Sequence, residues 1–579
     1  MTPMQAPANP PAQQDQTVPG QALGIASDSS QATPKGKVAV IGAGPAGLSC
    51  ALELLKAGYA VDIFELDERV GGLARTVEVL GQKADLGSHR FFSKLDEVNN
   101  FWHQGMSADD FIVEQRLSRI LYNGKFFDYP LKGFDALFKL GLVESTRCVL
   151  SYAYAALFPR QEPTFEAWVS NAFGKRLYEI FFKTYSERLW GIKCSELSDQ
   201  FAKQRIKTLN LSKAILNAVL PQRNKDGKPL TLIDEFVYPR LGCGMVYERV
   251  AQEIERRGGR FFFKQQVVGL TTAPVTAADK TAHPAADIAV DTAADTAVDA
   301  AADTAVDTAA DTAVTWANNG VMGAPHSFPL KITGIVTQEL ASGQGNGMSN
   351  TEVAAAPGTT PQTRAYDIVV SSGIFREMVR SLTVLPDKVR ALCSQLRFRN
   401  TIMVYLTVDP DKAKLCPDHW IYVHSPEIKM GRMTDFANWS HDMQQGQREH
   451  LLGFEYWAND DEELWRQSDA ALMAQARADA VKTGFITAAA ITGAAVHRIH
   501  MSYPVYFHGY ESVLAAITRE LDKVANLYFI GRNGSYKYNN MDHSVLMGLF
   551  CAQKIAGQYH GSLWAINTDS DYQEIKAQA

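Results

Sequence analysis

The fold of this chain is decided by the segment Lys37-Val38-Ala39-Val40-Ile41-Gly42-Ala43-Gly44-Pro45-Ala46-Gly47. Its first five residues form a short apolar run, which predicts a buried parallel strand. The glycines follow as G-x-G-x-x-G at the turn into a helix, predicted over 45–56. Gly42 permits the tight turn, Gly44 lets the backbone approach a pyrophosphate, and Gly47 lets the helix pack on the strand. The segment therefore predicts a dinucleotide site with its phosphates at the positive end of the helix.

The residues that follow identify the kind of dinucleotide. Val61-Asp62-Ile63-Phe64 predicts a second strand, and Glu65 at its end is placed to accept hydrogen bonds from ribose hydroxyls. Gly71-Gly72 completes the spacing E-x-x-x-x-x-G-G. This spacing resembles the second glycine motif of the glutathione-reductase-type flavoproteins, which include amine oxidases, protoporphyrinogen oxidases and UDP-galactopyranose mutases. The resemblance implies FAD as the cofactor.

A second flavin-type signature lies near the other end of the chain, in Tyr528-Phe529-Ile530-Gly531-Arg532-Asn533-Gly534-Ser535-Tyr536-Lys537-Tyr538. We expect its first residues to form a strand that completes the same cofactor site. The resemblance implies that Arg532 meets the FAD pyrophosphate and that Asp542, with the following helix N-terminus, faces the flavin. The predicted cofactor-binding residues are Gly42, Gly44, Pro45, Ala46, Gly47, Glu65, Gly71, Gly72, Leu73, Ala74, Val267, Gly531, Arg532, Asp542, His543 and Ser544.

The composition and net charge of the chain limit the number of domains and the kinds of partner and location to be expected. The chain has 579 residues, a hydrophobic content of 46% and a net charge of −6, which predict two or three domains with an ample core and give no indication of a nucleic-acid partner. The seven cysteines form no C-x-x-C pair, which favours a reducing, cytoplasmic location. We expect no signal peptide and no transmembrane segment. The most apolar stretch, 148–158, predicts a buried helix.

The order of these features predicts an α/β protein: a glutathione-reductase-type, Rossmann-like FAD domain, a helical substrate domain and an antiparallel sheet layer. Aspartates recur at every fourth residue from Asp287 to Asp311 in an Ala/Thr/Val background, which is typical of a solvated linker rather than a metal site. The predicted divisions are a disordered tail (1–35), a discontinuous FAD domain (36–105, 236–394 and 506–560, with insertions at 271–327 and 341–363), a helical substrate domain (126–235), a sheet domain (108–125 and 395–505) and a peripheral tail (561–579).

A more specific resemblance lies in the predicted helical domain. Lys183-Thr184-Tyr185 through Trp190-Gly191 is similar to the K-x-Y-x-x-x-x-W-G pattern on the aromatic helix that holds uridine in UDP-galactopyranose mutases. The resemblance implies that Tyr185 stacks on uracil, that Phe181 and Trp190 frame it, and that Arg205 reaches the diphosphate. The chemistry is consistent, because a flat base suits an aromatic face and a diphosphate suits a guanidinium fork.

Further segments resemble the same family. The loop Asp85-Leu86-Gly87-Ser88-His89-Arg90-Phe91-Phe92-Ser93 implies that His89 lies against the flavin and tunes its redox state. Arg432, in the segment 431–440, corresponds to a second diphosphate arginine. Tyr503, Tyr538 and Asn540 are the remaining substrate-binding candidates.

One segment departs from the mutases. Tyr238-Pro239-Arg240-Leu241-Gly242-Cys243-Gly244-Met245 has a different glycine turn, and bacterial amine-oxidase-like and protoporphyrinogen-oxidase-like proteins resemble it equally well. The sequence therefore leaves the exact substrate open.

Three functional hypotheses remain from the sequence. The first is an isomerase of a UDP-galactose-like nucleotide sugar, in which N5 of reduced FAD attacks the anomeric carbon and the protein neutralises the leaving diphosphate. His89, Arg205 and Arg432 are its catalytic candidates, no metal is expected, and NAD(P)H is the candidate for the unidentified reductant. The second is an oxidoreductase that abstracts hydride from an amine or an apolar substrate. The third is a flavin-binding protein without a substrate site.

Overall fold

The computed structural model of this chain describes residues 33–131, 133–206, 235–275, 330–340 and 359–567, without the side chains of 133–134 and 204–206. The described residues from Lys35 onward form one compact unit. The predicted tail (1–35, apart from its last residues), the aspartate repeat and most of both predicted insertions lie outside the described residues.

The described residues form the following elements. The strands are β1 Lys37–Ile41, β2 Ala60–Phe64, β3 Thr76–Val79, β4 Gln82–Asp85, β5 Phe111–Gln115, β6 Ser118–Tyr122, β7 Lys125–Asp128, β8 Glu235–Pro239, β9 Arg260–Phe262, β10 Gln265–Pro274, β11 Leu330–Glu339, β12 Gln362–Ala365, β13 Ile368–Ser371, β14 Phe398–Val408, β15 Trp420–Val423, β16 Arg432–Asp435, β17 His450–Ala458, β18 Ile491–Pro504 and β19 Leu527–Phe529. The helices are α1 Pro45–Lys56, α2 Asp96–Trp102, α3 Gly133–Leu140, α4 Leu142–Leu157, α5 Phe165–Phe173, α6 Lys175–Tyr178, α7 Thr184–Trp190, α8 Asp199–Ile206, α9 Gly244–Arg256, α10 Phe375–Ser381, α11 Asp387–Leu392, α12 Glu463–Arg466, α13 Asp469–Lys482, α14 Tyr510–Leu521, α15 Gly531–Gly534 and α16 Met541–Ile555.

The cofactor region is built on a parallel sheet with the strand order β19-β13-β1-β2-β9. Every neighbouring pair in this sheet is parallel. The β1-α1-β2 unit has the predicted boundaries to within one residue, since β2 begins at Ala60 instead of Val61. β19 joins the sheet from the far end of the described chain. The predicted fold class, a Rossmann-like FAD domain combined with helical and sheet layers, is confirmed.

The alternation of side chains along β1 places apolar residues on both faces of this sheet. Val38 and Val40 belong to a core shared with α1, α9 and α16, whereas Ala39 and Ile41 belong to a core shared with β11 and α10. All four side chains are at most 8% exposed. The sheet is thus buried on both sides, as a central parallel sheet requires.

The sequence segments 261–270 and 365–370 each predict one strand, but the structure divides both between sheets. The strand expected over 261–270 turns at Lys264, which has φ +53, so β9 joins the parallel sheet and β10 joins the three-stranded sheet β10-β11-β12. The strand expected over 365–370 is interrupted at Tyr366 and Asp367. The Tyr366 hydroxyl donates to Asp62, and the Asp367 carboxylate accepts from the backbone N–H of Lys37. These polar contacts separate β12 from β13.

The sheet layer has seven strands in the order β18-β14-β17-β16-β15-β6-β7. It is antiparallel as predicted, with one exception, because β6 and β15 run parallel. β5 was expected in the same layer, but it pairs with β8 in a separate ribbon. The inner face of β14 carries Met403 and Tyr405 toward the FAD region.

The prediction of a buried helix over 148–158 is wrong. The stretch is helical and belongs to α4, but on this helix only Cys148 and Ala155 are buried, and Leu150, Tyr154 and Leu157 are 65–74% exposed. Its hydrophobic side chains form an outward face rather than part of the core. Within the described residues, no helix combines the length and the apolar character needed to cross a bilayer.

The parallel sheet and its helices, which are predicted to bind FAD, include segments from both ends of the described chain. The packing of α16 on α1 holds these segments together. Gly548 lies where the two helices meet, and a Cβ built there would overlap the Ser49 hydroxyl and the Ala46 carbonyl oxygen. The Ser49 hydroxyl also lies 3.1 Å from the backbone carbonyl oxygen of Val545 and donates to it. The contact therefore depends on the missing side chain at Gly548.

We predict that Gly548→Ala destabilises the protein by about 1–3 kcal/mol, because an added methyl overpacks this contact more than alanine's higher helix propensity offsets. The variant should also release FAD more readily, because the added methyl would push on Ala46, which lies in the first turn of α1 within the glycine motif predicted to bind FAD. Urea unfolding and flavin retention after gel filtration measure both effects. Gly269→Ala is the control, because its Cβ would lie 3.7 Å from Val336. Equal stability of the two variants would contradict the prediction.

Candidate active site

A cavity of about 450 Å³ lies at the carboxyl ends of β1 and β2, where dinucleotides bind in sheets of this kind. The wall is built by segments far apart in sequence: the turn after β1, the turn after β2, β10, the turn after β13 and the start of α16. The predicted cofactor residues that line it are Gly42, Gly44, Pro45, Ala46, Glu65, Gly72, Leu73, Ala74, Val267, Gly531, Arg532 and Ser544.

The glycine turn has the geometry that a pyrophosphate requires. Gly42 has φ +95, a conformation that favours glycine, and a Cβ at Gly47 would overlap the Gly42 carbonyl oxygen. A Cβ at Gly72 would lie 3.1 Å from the Cα of Gly44, so the two backbones are in close approach. This part of the wall is bare backbone at the N-terminal end of α1, which fits a diphosphate.

Glu65 is fixed at the edge of the cavity by two backbone donors. Its carboxylate accepts from the N–H of Ala43 at 2.6 Å and from the N–H of Asp67 at 2.9 Å. Burial raises the pKa of this carboxyl above its usual value, against the lowering effect of these hydrogen bonds. A carboxylate has about four lone-pair sites, so two hydroxyls of a ribose can still be accepted.

Four predicted cofactor residues lie behind the cavity wall. Gly47 packs against the glycine turn, and the N–H of Gly71 donates to the Ala43 carbonyl at 2.8 Å. Asp542 and His543 are buried in the first turn of α16, and Asn540 and His543 form the capping box of that helix. These residues shape the cavity without lining it.

A second cavity, of about 360 Å³, adjoins the first. Leu73, His89, Arg532, Asn540 and Met541 line both cavities and form their junction. The predicted residues Phe181, Tyr185, Arg432, Tyr503 and Tyr538 also line the second cavity. The structure thus brings most of the proposed substrate residues together beside the cofactor cavity.

Tyr185 occupies an aromatic cluster in the wall of this second cavity. Its ring is stacked on His424 at 4.9 Å and 14°, and meets the edges of Tyr422 and Trp457. Burial, together with the nearby Arg188 charge, lowers the pKa of His424 to about 3, so this imidazole is neutral. One face of Tyr185 is therefore already covered by a neutral ring.

Two other predicted substrate residues are placed differently. Trp190 is 1% exposed and packs edge-on against Tyr503 and Tyr538, so it supports the wall from behind instead of lining the cavity. The fully buried position follows from the end of α7, where the chain turns back at Gly191. Arg205 lies on α8, but its side chain is outside the described residues.

Arg432 enters the second cavity as half of an ion pair. Its Nε and one terminal nitrogen donate to Glu455 at 2.6 and 2.5 Å. Glu455 is 1% exposed, and the two residues are opposite each other on β16 and β17. Glu455 also raises the pKa of Arg432, although burial acts the other way. The cation is therefore permanent and held in a fixed orientation.

Further lining residues were missed from the sequence. They are Arg90, Arg116, Tyr129, Trp420, Tyr422 and His424. A signal for the last three was present, because the alternation Trp420-Ile421-Tyr422-Val423-His424 places them on one face of β15 and its continuation. The Nε of Arg116 is buried without a hydrogen-bond partner among the described residues, and no sequence motif indicated its position.

His89 lies above a buried polar cluster. Its Nδ1 is 4.0 Å from the Asp85 carboxylate, and its backbone carbonyl accepts from the Cys243 thiol at 3.0 Å. Burial, with the Arg532 and Arg432 charges, lowers the pKa of His89 to about 3. At neutral pH this side chain is an uncharged imidazole at the junction of the two cavities.

The glycine turn after β8, which differs from the mutase pattern, contacts the Asp85 carboxylate. Thr76 and Tyr238 donate their hydroxyls to Asp85 at 2.6 and 2.7 Å, and the Cys243 N–H donates at 3.2 Å. Gly242 has φ +95, and a Cβ there would overlap the Thr76 hydroxyl. The turn that departs from the mutase pattern therefore anchors the loop that carries His89.

Comparison with known proteins matches part of the chain to a flavoprotein family. Residues 45–308 match the family model of the flavin containing amine oxidoreductases. A probable UDP-galactopyranose mutase of Klebsiella pneumoniae is 25% identical over 178 residues, which are 29% of this chain and 44% of that protein. The chain thus matches less than half of the length of this relative.

Solved structures extend the likeness over nearly the whole chain. The crystal structure of reduced UDP-galactopyranose mutase superposes with a TM-score of 0.65 at 19% identity, covering 91% of this chain and 96% of that one. A putative protoporphyrinogen oxidase from Exiguobacterium superposes with a TM-score of 0.57 at 14% identity, covering 90% and 99%. The resemblance to a UDP-galactopyranose mutase-like member of the FAD-dependent amine oxidase and protoporphyrinogen oxidase superfamily is confirmed. The predicted cofactor, FAD, is confirmed.

The buried carboxyl of Asp85 leads to a pH prediction. Burial raises its pKa from 3.8 to about 6, so the folded state binds this proton more tightly than the unfolded chain does. As the pH rises from 4 to 6, the contribution of Asp85 to the free energy of unfolding should fall, by about 2–3 kcal/mol. Urea titrations of the wild type and Asp85→Asn across this range measure it. The wild-type advantage should shrink with rising pH, and an advantage that stays constant from pH 4 to 6 would contradict the prediction.

Proposed function

We propose that this protein is a mutase-type FAD enzyme that isomerises a nucleotide-activated sugar. The observation that carries the proposal is the charge of the second cavity. Arg90, Arg116, Arg432 and Arg532 line it, and its described lining contains no carboxylate. An amine substrate is cationic at neutral pH and would be repelled there, whereas a diphosphate is attracted.

The aromatic lining supports the same proposal. Phe181, Tyr185, Tyr422 and Tyr503 offer ring faces and edges of the kind that bind a nucleobase. The Arg532 guanidinium lies 5.1 and 5.2 Å from the ring centroids of Tyr503 and Tyr538, at the junction of the cavities. A nucleotide sugar with its base among the aromatic side chains would place its diphosphate near the arginines and its sugar toward the cofactor.

In this proposal, reduced FAD supplies the nucleophile for the anomeric carbon. Arg432 stabilises the negative charge that develops on the leaving diphosphate, and Arg532, predicted to meet the FAD pyrophosphate, adds positive charge at the junction of the two cavities. His89, neutral at the junction, offers one nitrogen donor or acceptor to the cofactor or the sugar.

An oxidoreductase is the second candidate. The family model describes amine oxidoreductases, and part of the second cavity is apolar, with Leu86, Ile120, Leu131 and Ile499 in its lining. An uncharged apolar substrate would fit this part of the wall. It would leave the arginines without a role, which is why we rank this function second.

The decisive experiment uses the dithionite-reduced holoenzyme without air and UDP-galactopyranose or UDP-galactofuranose, with products separated by chromatography. Interconversion by the reduced protein, absent from the oxidised one, is the expected result. Absence of both turnover and UDP binding would contradict the nucleotide-sugar proposal and favour the oxidoreductase. UDP binding without turnover would keep the nucleotide and reject galactose as the sugar.

Replacing Arg432 and replacing Glu455 should change the affinity for UDP in opposite directions. Arg432→Ala should weaken UDP binding about 10- to 100-fold, because a charge-assisted contact is lost. Glu455→Gln should strengthen binding, because the carboxylate that competes for this guanidinium is removed. Isothermal titration with UDP measures both. Arg448→Ala, at an exposed arginine outside both cavities, is the control and should bind like the wild type. Unchanged affinity in Arg432→Ala would remove this residue from the site.

A further inference from the structure

A third cavity, of about 620 Å³, lies beside α7. Thr184, Glu187 and Arg188 line it, and their spacing of three and four residues places them on one face of that helix. Tyr185 and Leu189 lie on the opposite face and line the second cavity. The helix therefore separates the two cavities, and no described residue of the proposed nucleotide site lines the third one.

The wall of the third cavity contains two buried nitrogen donors that lack acceptors. Trp457 is 5% exposed, and its indole N–H has no acceptor in the described part of the chain. The Nε of Arg399, a residue that is 3% exposed, is likewise without a partner among the described residues. Buried polar groups in folded proteins are nearly always paired. Two such donors in one wall favour a ligand that accepts hydrogen bonds.

The charge of the third cavity is positive. Its charged lining consists of four cations and two carboxylates: Arg188, Lys193, Arg399, Lys429, Glu187 and Glu462. Arg399 is paired with Glu462. Lys193 and Lys429 form no ion pair with any described residue, so their ammonium groups are available to a ligand. The cavity therefore attracts anions.

Arg188 adds a buried cation that has only neutral partners. Its guanidinium donates to the backbone carbonyls of Val423 at 3.1 Å and of Ser425 at 3.0 Å, and it forms no ion pair with any described residue. Burial lowers the pKa of this guanidinium, against the attraction of Asp479 and Glu427. Carbonyl groups orient the guanidinium without neutralising it, so an anion beside it is favoured.

The kinds of donor in the lining indicate the class of anion. Flat carboxylates are best recognised by the free fork of an arginine, and here Arg399 is engaged with Glu462 and Arg188 with carbonyls. Lys193 and Lys429 instead offer compact point charges with three donors each, which suit the several oxygens of a phosphate. The free donors of the third cavity therefore match a phosphate better than a carboxylate.

We propose that the third cavity binds a small polyanion of the phosphate class, such as inorganic phosphate, pyrophosphate or a phosphate monoester, held by Lys193, Lys429 and Arg188. The site is distinct from the second cavity and does not depend on the proposed function. It lies close to the nucleotide wall all the same, because the ring of Trp457 meets that of Tyr185 with centroids 5.7 Å apart.

Lysine footprinting of the full-length holoprotein tests the site directly. The protein is acetylated with an N-hydroxysuccinimide ester at constant ionic strength, with and without sodium pyrophosphate, and labelling is read from peptide masses. Pyrophosphate at about ten times its dissociation constant should slow acetylation of Lys193 and Lys429 about tenfold, because the bound anion shields them. Lys175 and Lys388, exposed elsewhere, are the controls and should react at unchanged rates. No protection at millimolar pyrophosphate, or equal protection of the controls, would overturn the proposal.

Two comparisons fix the location of the site and the class of ligand. Arg432→Ala should keep the protection of Lys193 and Lys429, since Arg432 belongs to the second cavity. Loss of protection in this variant would mean that an anion in the second cavity causes it, and the third site would be rejected. Citrate at the same concentration should protect much less than pyrophosphate, and equal protection by citrate would overturn the phosphate assignment.

A binding measurement completes the test. Equilibrium dialysis of radioactive pyrophosphate against the Arg432→Ala holoprotein measures the third cavity with the second one weakened. Adding Lys193→Ala and Lys429→Ala should lower the affinity about 10- to 100-fold, because two charge-assisted contacts are lost. Adding Lys175→Ala and Lys388→Ala instead removes the same charge elsewhere and should leave the affinity unchanged. Equal affinities of the two triple variants would contradict the proposal.

Discussion

The rest of the site depends on one close contact, that of α16 with α1 across Gly548. The two helices come from opposite ends of the described chain, and they meet with no side chain between them at this point. Ser49 spans the contact, because its hydroxyl lies 3.1 Å from the carbonyl oxygens of both Ala46 and Val545 and can donate its proton to either. Because the contact fixes the start of α1 against α16, it also places Gly531 and Arg532 opposite the glycine turn. A larger residue at Gly548 would separate the two halves of the cofactor cavity, whatever the rest of the chain did.

The junction of the cavities shows why the protein needs a discontinuous chain. Leu73 follows β2, His89 follows β4, and Arg532, Asn540 and Met541 surround the start of α16. No single segment supplies these five residues, because the cavities lie at the carboxyl ends of the parallel strands, where loops from distant parts of the chain meet. The divergent turn at Gly242 contributes indirectly. It holds Asp85 by the Cys243 N–H and the Tyr238 hydroxyl, and thereby fixes the loop that carries His89.

The sequence predicted the cofactor half of the site better than the substrate half, for a physical reason. Tight backbone turns demand glycine at set spacings, so Gly42, Gly44 and Gly72 could be placed from sequence alone. An aromatic cavity wall requires no residue type at a fixed spacing. The same helical pattern is therefore compatible with a tyrosine that lines the cavity, such as Tyr185, and with a tryptophan buried behind the wall, such as Trp190. The contact of Tyr185 with His424 joins residues 239 positions apart, and only the folded sheet brings them together. The outward face of α4 was missed because a continuous apolar run carries no information about which side is covered.

The buried pair of Arg432 and Glu455 bears most directly on what the second cavity is for. A buried ion pair contributes little net stability, because desolvation of both charges offsets their attraction. Hydrophobic side chains of similar size would fill this wall at least as well, so stability does not account for the pair. A buried guanidinium needs a counter-ion while no anionic ligand is bound, and Glu455 supplies one at 2.5–2.6 Å. Under the proposed function, the Arg432 donors that are not bonded to Glu455 would bind the diphosphate. Glu455 would then keep the cation oriented at the cost of some affinity, and the other arginines of the lining would supply the excess positive charge that attracts the substrate.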